Sequence, residues 1–199
     1  VYPDGSFRTI DKLKEMVSLA EKGMEQRLSE AAMDRGLAAL KKIKILCESQ
    51  GVEQIVAYAT SAIREAENGG KFTQRMIDEV GIKARAISGK MEAKLIGQAI
   101  RHAVTIGKEP VLMVDIGGGS VEFIVADQER FLFTASKKIG VARMAARFVD
   151  HDPITKEEIK TLKDHFEGEL IELAEVLKEH QVKTIIGSSG TMENSAAMI

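Results

Sequence analysis

The residues best placed to do chemistry lie together in residues 111–125, VLMVDIGGGSVEFIV. An apolar run carries Asp115 at its end, glycines occupy 117, 118 and 119, and Ser120 and Glu122 follow. Without Cβ atoms, the backbone at Gly117, Gly118 and Gly119 can approach a phosphate closely and aim its N–H groups at it. Ser120 can donate its hydroxyl to the same ligand. Asp115 beside such a loop would repel phosphate unless a cation lay between them. Mg²⁺ suits that place, because it takes a few carboxylates, keeps several waters and accepts substrate oxygens. Glu122, in the returning segment, is the natural second acid. The alternative is a plain glycine-rich hairpin, against which the acid before the loop, Ser120 after it and Glu122 beyond all weigh. Two familiar phosphate loops do not fit. A Walker loop needs Gly-Lys-Ser/Thr leading into a helix, and no lysine follows these glycines. A dinucleotide fingerprint needs a helix after its glycines, whereas Val121, Phe123 and Val125 alternate with Glu122 and Ile124 as in a strand.

The elements that must position this loop can be read along the chain. Residues 111–116 read as a buried strand, 121–125 as the next, and 130–135 as a third after a turn near Asp127-Gln128. Upstream, a turn is expected at Pro3-Asp4-Gly5. Ser29 is placed as the N-cap of a helix carrying Met33, Leu37, Leu40, Ile43 and Cys47, with Leu28 and Met33 set for a hydrophobic staple and Gly51 as its stop. A buried strand at 55–59 and a helical stretch at 62–67 follow, the latter broken by Asn68-Gly69-Gly70. Phe72, Met76, Ile77 and Val80 mark another helix, closed by Gly81. A short strand at 84–87 leads to Ser88, which caps a helix with Leu95, Ile96, Ala99, Ile100 and Ala103 on its buried face. Downstream come a helix at 141–149 and a long charged helix reaching about His180, begun by a capping box at Thr155 and Glu158. The last strand, 184–186, runs into GSSGT at 187–191. The class is α/β. A boundary at 105–110 separates a first subdomain, 1–106, from a second, 107–199, that holds the glycine loop.

Bulk properties limit the partners. With 44% hydrophobic and 29% charged residues over 199, the chain is globular rather than disordered. Lys plus Arg is 28 against 30 for Asp plus Glu. That balance gives no global attraction to nucleic acid or anionic membrane, so a polyanion must be held locally. No apolar run approaches the roughly 18–20 residues that span a bilayer. There is no Trp, and Tyr numbers 2, which leaves few stacking platforms for single-stranded nucleic acid. Cys47 is the 1 cysteine, so no disulfide framework exists and a reducing cytoplasm suits the chain; its place on an apolar helix face reads as core. His102, His151, His165 and His180 show no metal-ligand spacing. Residue 1 is Val, so the chain is expected to start downstream of its natural beginning.

Four ordered motifs make a resemblance specific. Residues 111–125 resemble the second phosphate motif of the exopolyphosphatase and guanosine pentaphosphate phosphatase family, within the actin, sugar-kinase and chaperone-ATPase superfamily. Residues 59–66, ATSAIREA, are similar to its ATSA-x-R stretch. Residues 87–96, ISGKMEAKLI, are similar to its ISG-x-E-E-A-R-L-I stretch, and GSSGT at 187–191 is similar to its late G-x-SGT loop. Residues 28–37, LSEAAMDRGL, also match. The likeness covers essentially the whole chain.

The resemblance implies a ribonuclease-H-like fold, with two actin-like ATPase subdomains flanking a cleft. It implies that Glu92 positions and deprotonates the attacking water, and that Arg64 faces the phosphate cleft. Asp115 and Glu122 would be the acids associated with Mg²⁺. Gly117, Gly118, Gly119 and Ser120 would form the phosphate cradle, with Gly190 and Thr191 lining the same cleft. The substrate would be polyphosphate or a polyphosphorylated guanosine nucleotide, and a homodimer is common in the family. Met91 stands where a glutamate is usual, Lys94 replaces an arginine and Val121 a threonine; these departures imply altered affinity before lost chemistry. The family's first strand and its D-x-GSNS loop are expected before residue 1. Two other readings stay open: an ATP-dependent sugar or acyl kinase of the same superfamily, and a non-catalytic phosphate- or nucleotide-sensing module.

Overall fold

A computed structural model describes residues 8–20, 27–190 and 192. The turn expected at Pro3-Asp4-Gly5, and Thr191, lie outside the described residues. The α/β class holds, with helices packed on two separate sheets. The larger sheet has four strands in the order β5-β4-β3-β6: β3 is Val111–Ile116, β4 Val121–Ala126, β5 Phe131–Lys137 and β6 Thr184–Ser188. β4 runs antiparallel to both β3 and β5, and β6 lies parallel to β3.

Strand periodicity decides which residues face which layer. Leu112, Val114, Val121, Phe123 and Val125 pack with Ile139, Met144 and Leu173. That layer belongs to α5 (Val141–Phe148), α6 (Lys156–Glu169) and α7 (Ile171–Glu179). Val111, Met113, Ile124 and Ala126 point the other way, onto Ala93 and Ile100 of α4 (Gly89–Ala103). Asp115 and Glu122 are cross-strand partners. By alternation they share the α4 face with Met113 and Ile124. The sequence boundary at 106/107 puts α4 in the first half, yet its buried face lies on this second sheet.

The first part of the chain builds around α1 (Glu30–Ser49). Ser29 caps it, its hydroxyl accepting from the Ala32 amide, and Leu28 and Met33 are buried in one cluster with Leu37, Phe72 and Met76. Cys47 is half-buried. β1 (Ala57–Ala59) and β2 (Ala84–Ala86) form a two-stranded parallel sheet. α2 (Ser61–Glu65) follows β1, and α3 (Gly69–Arg75) continues as a wider turn over Met76–Val80 to Gly81, whose φ of 73° is left-handed.

Four expectations need correction. The strand at 55–59 was expected to be buried, but Val56 and Tyr58 are exposed, because β1 is a short strand paired only with β2 among the described residues. The helical stretch expected at 62–67 is shorter and begins one residue earlier, Ser61–Glu65. It is broken before Asn68-Gly69-Gly70 as expected, and α3 begins at Gly69, where a Cβ would clash with the Ile63 carbonyl oxygen, while the Asn68 side-chain amide holds the Leu28 backbone through bonds of 2.8 and 2.9 Å. The helix expected from Thr155 to His180 is two helices that break at Leu170, two residues after Gly168. On α4 the buried face is rotated: Ala93, Gly97 and Ile100 are buried, and Ala99 and Ala103 are exposed.

Gly97 explains that rotation. A Cβ there would meet Phe131 Cε1 at 2.8 Å and Ile124 Cγ2 at 3.2 Å, so the helix lies against the sheet at its glycine. Gly97→Ala should lower stability by about 1–3 kcal/mol through overpacking, even though alanine is the better helix former by about 1 kcal/mol; the sign of the shift in a urea unfolding curve checks this.

The capping box at α6 yields a second prediction. Glu158 Oε2 accepts from the Thr155 amide at 2.7 Å and its Oε1 meets His151 Nδ1 at 2.9 Å. The Thr155 amide, then His151, hold the Glu158 carboxyl well below the usual carboxylate range, and Glu158 holds the His151 imidazole above its ordinary value. The raised imidazole adds stability below the pKa of the unfolded histidine and loses it as pH climbs through the folded value. The depressed carboxyl adds stability above the unfolded carboxylate's pKa and loses it as pH falls through its folded value. An NMR titration of His151 should therefore show a raised midpoint that returns toward normal in Glu158→Gln.

Candidate active site

The glycine loop is fixed through its carbonyl groups. Gly117 O accepts from the Val141 amide at 3.0 Å, and Gly118 O from the Arg143 amide at 3.1 Å. Gly119 O accepts from Arg143 Nε at 2.9 Å. The first-turn amides of α5, which have no partner inside a helix, are thus used to hold the loop. In a trans peptide the N–H points opposite to the C=O. The amides of Gly118, Gly119 and Ser120 therefore face away from α5, and none meets an acceptor among the described residues. Such an array is what an anion needs. Gly140 makes the close approach possible: a Cβ there would lie 2.5 Å from Ser120 N and 2.6 Å from the Gly118 carbonyl.

Asp115 and Glu122 sit beside this loop on the α4 face. Asp115 Oδ1 is buried and accepts no hydrogen bond among the described residues. Glu122 is buried, and Ser136 Oγ donates to its Oε1 at 2.8 Å. Burial pushes the Glu122 carboxyl up; the Ser120 and Ser136 hydroxyls pull it down, and the charges of Glu92 and Asp115 add to the rise. Ser120 is itself buried.

Glu92 reaches the same place from α4. Ser88 caps that helix, its hydroxyl accepting from the Met91 amide, which puts Glu92 in the first turn. Gly89 brings the turn against β5, since a Cβ there would lie 2.5 Å from Ser136 Oγ. Arg64 Nη1 donates to Glu92 Oε2 at 3.2 Å and to the Ile87 carbonyl at 2.8 Å. Glu92 Oε1 takes no hydrogen bond among the described residues. The late glycine loop joins at the next strand end. Ser188 is the β6 partner of Asp115, and Ser189 Oγ donates to Ile116 O at 3.2 Å from a left-handed backbone at φ 75°. Gly190 follows directly.

Arg64, Glu92, Asp115, Glu122, the loop 117–120 and Gly190 thus gather where β3 and β6 end, and Thr191 alone of the expected residues lies outside the description. The donor set fits a hard cation: repelling carboxylates, one with an orphaned buried oxygen. Among the described residues no three His, Cys, Asp or Glu converge tightly enough to cage a metal. A cation here would take its remaining ligands from water and phosphate.

Sequence reasoning missed Ser136, Gly89, Gly140, Arg143 and Glu65. Glu65 Oε2 accepts from Arg143 Nη2 at 2.9 Å and lies 2.9 Å from Lys138 Nζ. Glu65 directly follows Arg64, and that adjacency was the one available signal. Gly140→Ala should displace the loop: the backbone amide resonances of Gly118, Gly119 and Ser120 should shift in NMR spectra, while those of the Thr155 cap should not.

This geometry has counterparts among known proteins. Residues 2–199 match the Ppx/GppA phosphatase family. An exopolyphosphatase from Cytophaga hutchinsonii is 34% identical with a TM-score of 0.87, over 92% of this chain and 59% of its own. A Ppx/GppA family member from Aquifex aeolicus is 33% identical with a TM-score of 0.73, over 94% of this chain and 60% of its own. The chain thus spans about three fifths of the length of these relatives. With the match running through every strand and helix around the loop, the chain belongs to the Ppx/GppA phosphatase family.

Proposed function

We propose that this chain carries the phosphate-gripping and water-positioning machinery of a hydrolase that releases terminal phosphate from inorganic polyphosphate, guanosine pentaphosphate or both. The observation that supports it is the meeting of loop amides that find no acceptor among the described residues with the Arg64–Glu92 pair and two further carboxylates at one strand end. The Cytophaga hutchinsonii relative is an exopolyphosphatase, which favours the same substrate class.

The amides of Gly118, Gly119 and Ser120 receive phosphate oxygens, and Gly190 lines the other side; Thr191, carried over from the family resemblance, is proposed to bind phosphate as well. Arg64 anchors Glu92 through one carboxylate oxygen and leaves the other to orient a water. As that water's oxygen bonds to the terminal phosphorus, the bridging P–O bond breaks. The shortened chain departs with the bond electrons, and the water proton passes to Glu92. Asp115 and Glu122 would hold Mg²⁺, which when bound offsets carboxylate charge and spreads charge on the phosphate oxygens. The protein is proposed to act in the cytoplasm as a homodimer.

The test uses the full-length protein that contains these residues. Phosphate release is measured from polyphosphate, guanosine pentaphosphate and ATP, with and without Mg²⁺. Release that requires Mg²⁺ is expected, and Glu92→Gln should lower kcat by about 10²–10⁴-fold while leaving substrate binding. Unchanged turnover would remove Glu92 from the mechanism. Transfer from ATP to an acceptor, or tight binding without release, would overturn the hydrolase reading.

A further inference from the structure

Glu65 is a carboxylate without a role in the chemistry above, yet it is among the most heavily engaged groups near the site. Only 18% of its side chain is exposed. Its Oε1 is buried and accepts no hydrogen bond among the described residues, with Arg64 Nη2 standing off at 3.7 Å. Burial pushes its pKa up, but Lys138 and Arg143 outweigh that and hold it below its ordinary value.

Arg143, its partner at 2.9 Å, has three commitments. Its amide holds Gly118 O at 3.1 Å and its Nε holds Gly119 O at 2.9 Å, while Nη2 goes to Glu65. A guanidinium is planar and presents its donors in a fixed fork. One rigid group therefore spans from the glycine loop to α2. Arg64 is the residue next to Glu65 on that short helix, so any shift of Glu65 carries the Arg64 backbone with it.

Resting on the hydrolase reading above, we propose that Glu65 and Arg143 form a positioning strut that sets the glycine loop in register with the Arg64–Glu92 pair. Neither residue need touch the reacting atoms. The loop fixes where the phosphorus sits, and Glu92 fixes where the water sits. In-line attack depends on the distance between them, and an error of about 1 Å can cost on the order of 100-fold in rate. Glu92 is also held near the loop's sheet by the packing of α4, and Lys138 reaches Glu65 at 2.9 Å, but among the described residues it is Arg143 that joins the loop carbonyls themselves to the helix carrying Arg64. A lysine in place of Arg143 would keep the charge, but its single ammonium could not span the loop carbonyl and the carboxylate in the same plane.

The experiment compares Glu65→Ala, Arg143→Ala, Arg143→Lys and the double alanine variant in the full-length protein. It reads kcat and KM for polyphosphate, thermal stability, and the NMR amide resonances of Gly118 and Gly119. Each single variant should lower kcat by about 10- to 100-fold at nearly unchanged melting temperature. The double variant should be no worse than the poorer single, because both cut one strut, and Arg143→Lys should fail to rescue. Glu65→Ala should also shift the loop amides, although Glu65 makes no bond to the loop. Losses that multiply in the double variant, wild-type turnover in Arg143→Lys, or activity falling only in step with melting temperature would overturn the proposal. Should wild-type protein release phosphate from no substrate, the hydrolase reading fails by itself. The amide spectra then decide the strut: unmoved loop resonances in Glu65→Ala overturn it, and shifted ones support it.

Discussion

The site depends on one set of hydrogen bonds, those that tie the carbonyls of Gly117, Gly118 and Gly119 to the first turn of α5 and to Arg143. A glycine run is conformationally permissive, and ordering it costs more entropy than ordering other residues. Left alone, such a loop would sample many shapes and present no fixed array of donors. Binding its carbonyls on one side selects a single shape and, through peptide planarity, turns the intervening amides to the other side. The helix gains as well, since its first-turn N–H groups would otherwise need a cap from a side chain or water, and Gly140 at the N-cap position offers no side chain for that purpose.

The acids follow from a second constraint, the alternation of side chains along β3 and β4. Val114 and Phe123 face the α5–α7 layer, so their neighbours Asp115 and Glu122 must face α4. Glu92 can join them only if α4 lies close to the sheet with its first turn at the strand end. Gly89 against Ser136 and Gly97 against Phe131 bring it there. Packing and chemistry share the same residues at this point: Ser136, which excludes a side chain at position 89, also donates to Glu122.

Much of this was legible in the sequence, for identifiable reasons. The strand at 111–116, the return at Val121, the caps at Ser29, Ser88 and Thr155 and the glycine loop are local signals, each set by neighbours a few residues away. What failed was long-range. Periodicity gave α4 an apolar face, but the rotation that buries Gly97 and exposes Ala99 comes from an aromatic ring on β5. The break at Leu170 and the exposure of Val56 and Tyr58 depend on what packs nearby. Arg143 and Glu65 lie far apart along the chain; Glu65 is marked only by its place beside Arg64, and nothing local marks Arg143. Either would pass for an ordinary surface charge until the fold sets them 2.9 Å apart.

Charge balance decides what else the site needs. Four carboxylates, Glu65, Glu92, Asp115 and Glu122, meet three cations, Arg64, Lys138 and Arg143. The cations are not spread evenly. Lys138 and Arg143 both bond Glu65, and Arg64 bonds Glu92, which leaves Asp115 and Glu122 without a basic partner among the described residues. Burial already drives Glu122 toward its neutral form, and its neighbours' charges add to that push. Bringing a polyanion up to this half of the site would raise the cost further, because Coulomb terms strengthen as water is displaced. The loop amides lower that cost but supply only partial charges. A mobile divalent cation arriving with a phosphate chain, as proposed above, would resolve the imbalance on the side where the described residues provide no cation, and Arg64 covers the side where they do. The asymmetry fits the separate duties proposed for the acids: Asp115 and Glu122 would hold a cation, and Glu92 would direct water.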